Sequence, residues 1–427
     1  MKRKVLVIAY YFPPMGFSGV QRTAKFVKYL VEFGWEPTVL TIRPKYYYAF
    51  DDVLLKEIEE RGIRIIRTGS KDPTQKVFNQ KKIKSDFFRK ILNRISQTFF
   101  LPDNKRGWMR PALKEARKLL SSETFDIIFA TAPPYTDFRI GAQLKKEFNV
   151  PLILDYRDAW LDDGLSFYPT PFHRWIVKSM ERKVLHLSDK IVTYTRQIKE
   201  HILKNYPFIK QDEIVIIPHG YDEEDFNINF VPSKSPNKLR ITYSGAFYDE
   251  RTPKFFLKAV EQLFIERPDL ENQMEFYFVG NFPKKYYKKI QKSKFKSSFN
   301  FTGYVDHKTN IQYLLDSDVL WLMIRHSKNP HLYATSKLFE YIGTGKPILA
   351  CVPENGAAAM LLKDYGASFV VEPENVEEIK NKLIEIFDLF KKNQLPSGDK
   401  EFIQQFERKK LTQELVKIFQ FTMRDEA

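Results

Sequence analysis

The fold is decided by a stretch in the second half of the chain that reads Thr335-Ser-Lys-Leu-Phe-Glu-Tyr-Ile-Gly-Thr-Gly-Lys-Pro-Ile-Leu-Ala350. Leu338 and Ile342 lie on one face of a predicted helix, and Lys337 and Glu340 lie on the opposite face. Two glycines end the helix, and an apolar run follows at once. The stretch therefore predicts a short helix that leads into a buried strand, as in a parallel α/β sheet.

The start of this helix has the chemistry of an anion site. Thr335 or Ser336 can cap it, and the amides of its first turn can bind a phosphate, an interaction of roughly 0.3–1 kcal/mol. Lys337 would add a cation beside that phosphate, and Glu340, one turn later, could accept both hydroxyls of a ribose. The pattern also fits an ordinary solvated helix face with a Glu–Lys pair, so the residues alone leave both interpretations open.

Working outward, the same half of the chain contains three predicted strands that end at Gly245, Gly280 and Gly303. Glycine at the carboxyl tip of a parallel strand lets the backbone approach a ligand closely, where such sheets bind. Further strands are predicted at residues 318–324, 347–351 and 368–371. In the first half, strands are predicted at residues 5–10, 38–42, 63–66, 126–130, 151–155, 190–194 and 213–217.

Residues 232–238 are polar and contain two prolines, so they are predicted to form a linker between the two halves. The sequence thus predicts an N-terminal Rossmann-like domain at 1–231, a linker at 232–238 and a C-terminal Rossmann-like domain at 239–399. The remaining residues, 400–427, are predicted to contain an amphipathic helix that packs back on the first domain, with the helix at about 400–421.

Composition limits the choice of partner and compartment. A net charge of +16 indicates an anionic partner: nucleic acid, an anionic membrane or a phosphorylated substrate. The single cysteine, Cys351, excludes an internal disulfide and favours a cytosolic location. Its apolar neighbours indicate an inert core thiol. No apolar run approaches the roughly 20 residues that cross a bilayer, and the apolar N-terminal run reads as a strand, not as a signal peptide.

Much of the positive charge falls between residues 71 and 120. Within the segment 84–100 the apolar residues cluster on one side of a helical wheel, with Arg89, Lys90 and Arg94 beside them. This is typical of a helix at the surface of an anionic membrane. A core-facing helix with a basic rim fits equally, and no motif indicates nucleic-acid binding.

Several motifs together resemble the family 4 glycosyltransferases with the GT-B fold. The stretch at 335–350 carries the strongest part of the resemblance. The other motifs precede it in the order expected for the family, and together they cover nearly the whole chain. Its other parts are Phe12-Pro-Pro with Gly16 and Gly19, Asp155-Tyr-Arg-Asp-Ala-Trp160, Ile217-Pro-His-Gly-Tyr-Asp-Glu-Glu-Asp-Phe226, Tyr243-Ser-Gly and Gly303-Tyr-Val. It is nearest to bacterial transferases of surface-polysaccharide assembly.

The resemblance implies an α/β protein of GT-B fold, with two Rossmann-like domains facing a central cleft. The C-terminal domain would bind a nucleotide-sugar, and the N-terminal domain the acceptor. Glu340 would bind the donor ribose, Arg251 and Lys337 its diphosphate, and Gly303-Tyr304 its base. The family pairs two glutamates eight positions apart, and Leu332 stands at the earlier position here. His331, Thr335 or Ser336 could replace that glutamate in sugar recognition.

A second set of candidates follows the strand at 151–155. By resemblance, Arg157 and Asp158 take the place of a His-Asp pair that touches the donor sugar; a structural ion pair at the strand end is the alternative. Gly16 and Gly19 lack the spacing of a dinucleotide fingerprint, and a plain flexible loop is their alternative reading. The histidines are scattered without metal-ligand spacing, so neither a metal nor a cofactor is expected.

These observations predict a glycosyltransferase that works from a nucleotide-diphospho-sugar on a saccharide or lipid-linked acceptor, in the cytoplasm or at the inner face of the membrane. The resemblance implies that it retains the anomeric configuration. A nucleotide-sugar epimerase or a silent nucleotide-sugar-binding protein of the same fold is the alternative. The expected catalytic residues are Arg157, Asp158, Arg251 and Lys337. The expected donor-binding residues are Gly16, Gly19, Gly245, Gly303, Tyr304, Thr335, Ser336, Leu338 and Glu340.

Overall fold

The computed structural model describes residues 2–16, 18–47, 50–70, 98, 100–162, 167–247, 252–326 and 335–424. These divide into two compact units. The first comprises Met1–Pro218 together with Lys409–Ala427, and the second comprises His219–Arg408.

Among the described residues, the first unit holds a sheet of seven parallel strands in the order β3-β2-β1-β4-β5-β6-β7. The strands are β1 (Arg3–Ile8), β2 (Trp35–Ile42), β3 (Arg64–Thr68), β4 (Ile127–Ala132), β5 (Leu152–Tyr156), β6 (Lys190–Thr193) and β7 (Ile214–Ile216). Before residue 218, the described α-helices of this unit are α1 (Ser18–Leu30), α2 (Asp52–Glu60), α3 (Met109–Ser122), α4 (Thr136–Phe148), α5 (Pro171–Leu185) and α6 (Arg196–Asn205).

In the same described part of the chain, the second unit holds a sheet of six parallel strands in the order β10-β9-β8-β11-β12-β13. The elements are α7 (Glu223–Phe226), β8 (Leu239–Ser244), α8 (Lys254–Glu266), β9 (Met274–Val279), α9 (Lys284–Gln291), β10 (Phe299–Gly303), α10 (His307–Leu315), β11 (Val319–Met323), α11 (Ser336–Gly343), β12 (Ile348–Cys351), α12 (Ala357–Tyr365), β13 (Ser368–Val371), α13 (Val376–Lys391) and α14 (Lys400–Gln404).

Both sheets reverse their strand order at an interior position. The reversal falls between β1 and β4 in the first sheet and between β8 and β11 in the second. Open parallel sheets bind ligands outside the carboxyl ends of the strands at such a switch point. In the second unit, β8 ends immediately before Gly245, and the chain that leaves β11 goes on to form α11. The stretch singled out in the sequence therefore begins at the switch point of its sheet.

The strand predictions are confirmed: each strand read from the sequence is present in the described residues. Strands covered on both faces read as continuous apolar runs, and β4 and β12 are buried along their whole length. Cys351 ends β12 in the core of the second unit, where Trp321 Nε1 donates a hydrogen bond to its Sγ atom at 3.3 Å. Burial raises the pKa of this thiol to about 12, which agrees with an inert core cysteine.

The single helix predicted at about 400–421 is wrong in one respect, because it is two helices: α14 and then α15 (Arg408–Arg424). The interruption has a physical cause. The carbonyl of Phe406 accepts a hydrogen bond from the Tyr221 amide, and the Arg408 amide donates to the Tyr221 carbonyl. These backbone groups pair with another segment and so leave the helix. Beyond the break, Phe419 of α15 packs against Trp35 and Phe129 in the first unit.

No helix of the described residues is both long enough and apolar enough to cross a membrane. Nearly all of the basic segment 84–100 lies outside the described residues.

Candidate functional site

Three glycines meet at the carboxyl edge of the second sheet. Gly245 and Gly280 have φ values of +120° and +118°. The Gly245 amide donates to the Val279 carbonyl at 2.7 Å, and the Gly280 amide donates to the Gly303 carbonyl at 2.8 Å. A Cβ atom on Gly280 would lie 2.6 Å from the Gly245 oxygen, closer than side-chain carbons approach. The tips of β8 and β9 can therefore pack together only because position 280 has no side chain.

The start of α11 differs from the sequence prediction in its cap. Thr335 occupies the N-cap position, but its side chain caps no amide. Within the described part of the chain, its Oγ1 atom is buried and has no hydrogen-bond partner. The Leu338 amide donates to the Thr335 carbonyl at 2.9 Å, and the Leu338 side chain is fully buried. The amides of the first turn, at Ser336 and Lys337, have no acceptor within the helix itself.

The Lys337 ammonium lies at the tip of β8. Its Nζ atom donates to the Ser244 carbonyl at 2.6 Å and to the Tyr243 hydroxyl at 3.1 Å, and it lies 4.2 Å from the centre of the Tyr243 ring. A second contact fixes the same helix, since the Ser244 amide donates to the Tyr341 hydroxyl at 2.8 Å. The helix start is thus held against the strand tip by two side chains.

Glu340 faces a different neighbour. Its Oε1 atom lies 3.2 Å from Nε2 of His307, the first residue of α10. The two side chains are 17% and 19% exposed, so the carboxylate is partly covered but reachable. Lys337 and Glu340 therefore contact separate elements of the fold, which differs from the solvated Glu–Lys face that the sequence left open.

Gly303 and Tyr304 lie next to these strand tips. Gly303 has a φ of +71°, and nothing would obstruct a Cβ atom there. Tyr304 is 46% exposed and so presents an aromatic ring at the surface. The second unit thus brings together five of the predicted residues or segments: Gly245, Gly303-Tyr304, the α11 start, Lys337 and Glu340.

In the first unit, Arg157 is held by backbone carbonyls. Its two terminal nitrogens donate to the Gly19 and Pro133 carbonyls, and the residue is 7% exposed. Gly16 is buried and Asp158 is partly buried. Gly19 and Arg157 are thus neighbours, a contact that the sequence did not predict. The basis for a role of Gly16, Gly19, Arg157 and Asp158 in chemistry is still the family resemblance.

A buried ion pair near this strand end joins Arg22 and Asp155. Asp155 accepts three hydrogen bonds from Arg22, at 2.9, 3.0 and 3.2 Å, and one from the Thr131 hydroxyl at 2.8 Å. The Arg22 and Asp155 side chains are 1% and 0% exposed. This pair joins α1 to β5 and anchors the strand from which Arg157 follows.

Two predicted features lie outside the described residues: Arg251, and Leu332 with its neighbour His331. Sequence reasoning in turn missed His307, Tyr243 and Tyr341 as parts of the site. Tyr243 and Tyr341 stand inside motifs that were quoted, but nothing in the pattern pairs one with Lys337 or the other with Ser244. His307 gave no signal, because it lies 33 positions before Glu340.

The geometry of the two sheets assigns the protein to a structural class. Two parallel Rossmann-like sheets, the second with glycine strand tips beside a helix start at its switch point, define a doubly wound α/β protein with the features of an anion-binding site.

Solved structures share this fold. The chain is similar to sucrose-phosphate synthase from Thermosynechococcus elongatus, with 14% identity, a TM-score of 0.66 and coverage of 99% of this chain and 100% of that one. It is similar to TarM, with 11% identity, a TM-score of 0.61 and coverage of 98% and 99%. It is also similar to a UDP-GlcNAc 2-epimerase from Neisseria meningitidis bound to UDP-GlcNAc, with 12% identity, a TM-score of 0.58 and coverage of 97% and 98%. At such identities the likeness shows the fold alone.

Two family models match the chain. The model of Glycosyltransferase Family 4 matches residues 18–225, and that of the Glycosyl transferases group 1 matches residues 238–388. The chain belongs to the family 4 glycosyltransferases and is therefore an enzyme that transfers a sugar from a nucleotide-sugar. No curated protein sequence matches the chain significantly. The family and the fold class predicted from the motifs are confirmed.

Proposed function

We propose that the chain is a retaining glycosyltransferase of surface-polysaccharide or glycolipid synthesis. Its donor would be a nucleotide-diphospho-sugar and its acceptor a saccharide or a lipid-linked saccharide. The observation that carries the donor side of this proposal is the position of Lys337 and Glu340, one turn apart on a helix that starts at the switch point of the second sheet.

The diphosphate is proposed to bind at the start of α11. The amides of Ser336 and Lys337 point out of the helix end, where the helix dipole favours an anion. The buried Thr335 hydroxyl is an additional donor, since it makes no hydrogen bond within the described residues. The Lys337 ammonium, held at the β8 tip, supplies the positive charge. Arg251 is proposed as a second cation on the evidence of the family resemblance.

The nucleoside is proposed to lie beside the diphosphate along the same helix. Glu340 accepts hydrogen bonds from the ribose hydroxyls, since its carboxylate is partly exposed one turn after Lys337. Gly303 and the exposed Tyr304 contact the base. Gly245 is proposed to act on the donor side by leaving room for the Lys337 ammonium at the β8 tip. Leu338 is proposed to support donor binding indirectly, because its buried side chain anchors α11 in the core.

For the first unit, the proposed donor contacts are Gly16, Gly19, Arg157 and Asp158. Their support is the family resemblance. Peripheral attachment to the inner face of the membrane through residues 84–100 is proposed on the sequence pattern alone, since that segment lies almost wholly outside the described residues.

The proposed chemistry is electrostatic. As the bond between the sugar and the diphosphate breaks, negative charge grows on the leaving phosphate oxygens. The Lys337 ammonium and the first-turn amides of α11 are already oriented toward such charge, so they stabilise the transition state without reorganising. In this proposal, the helix start both binds the donor and lowers the barrier to its cleavage.

The experiment is a thermal-shift screen of UDP-, GDP-, ADP- and CMP-sugars, followed by transfer and hydrolysis assays with the donor that stabilises the protein. A ligand that binds only the native state raises its melting temperature. Glu340→Ala should show a smaller shift and a lower turnover, whereas Glu385→Ala, at an exposed glutamate that pairs with Lys382 on α13, should retain both. The proposal fails if no nucleotide-sugar stabilises the wild type, or if Glu340→Ala behaves as wild type. Formation of an epimerised sugar in the absence of any acceptor would favour the epimerase function instead.

A further inference from the structure

His307 lies between two carboxylates. Its Nε2 atom is 3.2 Å from Glu340 Oε1, and its Nδ1 atom is 3.8 Å from Asp225 Oδ2. A carboxylate can only accept a hydrogen bond, so the ring nitrogen that faces Glu340 must carry a proton. The Asp225 distance exceeds that of a hydrogen bond but keeps a negative charge beside the other edge of the ring. The imidazole therefore has a defined orientation toward Glu340.

The histidine is held in place by its own helix. Asp306 caps α10, since its side chain accepts from the Thr309 amide at 2.9 Å and from the Thr309 hydroxyl at 2.7 Å. This cap fixes the first turn of α10, to which His307 belongs. The cap therefore helps to hold the backbone that carries the imidazole.

Asp225 is brought to the ring by a close approach between α7 and α11. The rings of Tyr221 and Phe226 stack on each other with their centroids 5.4 Å apart, and both lie against Gly343 at the end of α11. Any side chain at position 343 would collide with them. The absence of a side chain there allows α7 to lie near enough to place Asp225 beside His307.

We propose that His307 is a positioning residue for the donor ribose. It donates its Nε2 proton to one oxygen of Glu340 and so orients the carboxylate, whose second oxygen accepts from a ribose hydroxyl. Orienting the acceptor before the ligand arrives reduces the ordering cost of binding. This inference rests on the proposed role of Glu340 and adds to it the residue that sets the direction of its carboxylate.

The test compares ribonucleotides with their 2′-deoxy counterparts. Dissociation constants of UDP, GDP, ADP and CDP, and of the 2′-deoxy form of whichever binds most tightly, are measured by calorimetry. The variants are Glu340→Ala, His307→Leu and His307→Gln, the last of which keeps an N–H donor. His326→Leu is the matched control, because His326 forms a similar pair with Glu372 at 2.8 Å but is 55% exposed at the surface.

In the wild type the ribonucleotide should bind about tenfold more tightly than the 2′-deoxy form, the effect of a hydrogen bond to a charged group. Glu340→Ala should abolish this preference, His307→Leu should remove most of it, and His307→Gln should restore part of it. His326→Leu should match the wild type. The measured quantity is the ratio of two dissociation constants, for the ribonucleotide and its 2′-deoxy form, in the same variant. A general loss of stability does not change this ratio. If His307→Leu does not fold, His307→Gln is used for the test.

Two outcomes overturn the inference while leaving Glu340 as the ribose ligand. In one, His307→Leu keeps the full ribose preference although Glu340→Ala loses it. In the other, His307→Leu weakens both nucleotides equally, which is the behaviour of a purely structural residue. A ribose preference that survives in Glu340→Ala contradicts instead the proposed function on which the inference rests.

Discussion

The Nζ atom of Lys337 lies 2.5 Å from the position that a Cβ atom on Gly245 would occupy. The ammonium thus fills the space that the missing side chain leaves, and from there it donates to the Ser244 carbonyl. The same glycine has a φ of +120°, which residues with side chains rarely adopt. The position of the Lys337 ammonium at the start of α11 therefore depends on the glycine at position 245, at the tip of β8.

Gly245→Ala should displace the Lys337 ammonium and strain the backbone, the latter costing about 1–3 kcal/mol. We expect binding of the stabilising nucleotide to weaken by about tenfold, because a charged donor is lost from its position. Calorimetry measures the binding, and urea unfolding measures the strain. Gly366→Ala is the control, since Gly366 also has a positive φ, +77°, but nothing lies within 4 Å of an added Cβ atom. Equal nucleotide affinity in the two variants would contradict the role of Lys337.

The buried ion pair between Arg22 and Asp155 should be essential to the stability of the first unit. Asp155→Asn keeps the shape of the side chain but leaves the Arg22 charge buried without its partner, which costs about 3–5 kcal/mol. Urea unfolding should show a large fall in the midpoint. Glu200→Gln disrupts an exposed pair with Arg196, whose side chains are 80% and 58% exposed, and should leave the midpoint unchanged. Similar midpoints for both variants would show that burial of the pair has no energetic consequence.

Stability should fall with rising pH because of Glu181. This side chain is buried and accepts from the hydroxyls of Tyr206 at 2.8 Å and Tyr156 at 3.2 Å. Burial raises the pKa of its carboxyl from 4.5 to about 7, although the two tyrosines oppose the shift. Below pH 4.5 the group is protonated whether folded or unfolded; above pH 7 the folded state must bury a charge.

The wild type should consequently lose roughly 3 kcal/mol of unfolding free energy through this group between about pH 4.5 and pH 7. Glu181→Gln cannot ionise and should lack that portion of the pH dependence. Urea unfolding at pH 5 and pH 8 in both proteins gives the difference. Identical pH dependence in the two proteins would mean that the Glu181 pKa is not raised.

Cys351 should resist thiol reagents in the folded enzyme. Its pKa of about 12 leaves almost no thiolate at pH 8, and its side chain has no access to solvent. Reaction with a disulfide reagent should therefore be very slow in buffer and complete in guanidinium chloride. Rapid reaction under native conditions would show that the β12 core opens readily.

The sequence predicted the strands well because both sheets are parallel and covered on both faces. Each strand is then an apolar run bounded by turn residues, and Gly245, Gly280 and Gly303 mark three of the strand ends. The break in the C-terminal helix was not predictable, because it depends on hydrogen bonds with Tyr221, far away in the chain. Local amphipathic periodicity continues through the break and conceals it.

The site residues that lie together on one helix could be predicted from the sequence. The contacts between segments that are distant in the chain could not. Lys337 and Glu340 are close in sequence, so the turn that separates them could be read directly. The contacts of these side chains with Tyr243 and His307 arise from the order of strands in the sheet, which local patterns do not contain. The cap at Thr335 was predicted from residue type alone, and the structure instead buries that hydroxyl.

The most direct test of the account is a crystal structure of the enzyme with the nucleoside diphosphate that stabilises it most. The diphosphate should lie against the amides of Ser336 and Lys337, and the ribose should lie within hydrogen-bond distance of Glu340. A nucleotide bound anywhere else, or a ribose that makes no contact with Glu340, would contradict the assignment of the helix start as the donor site.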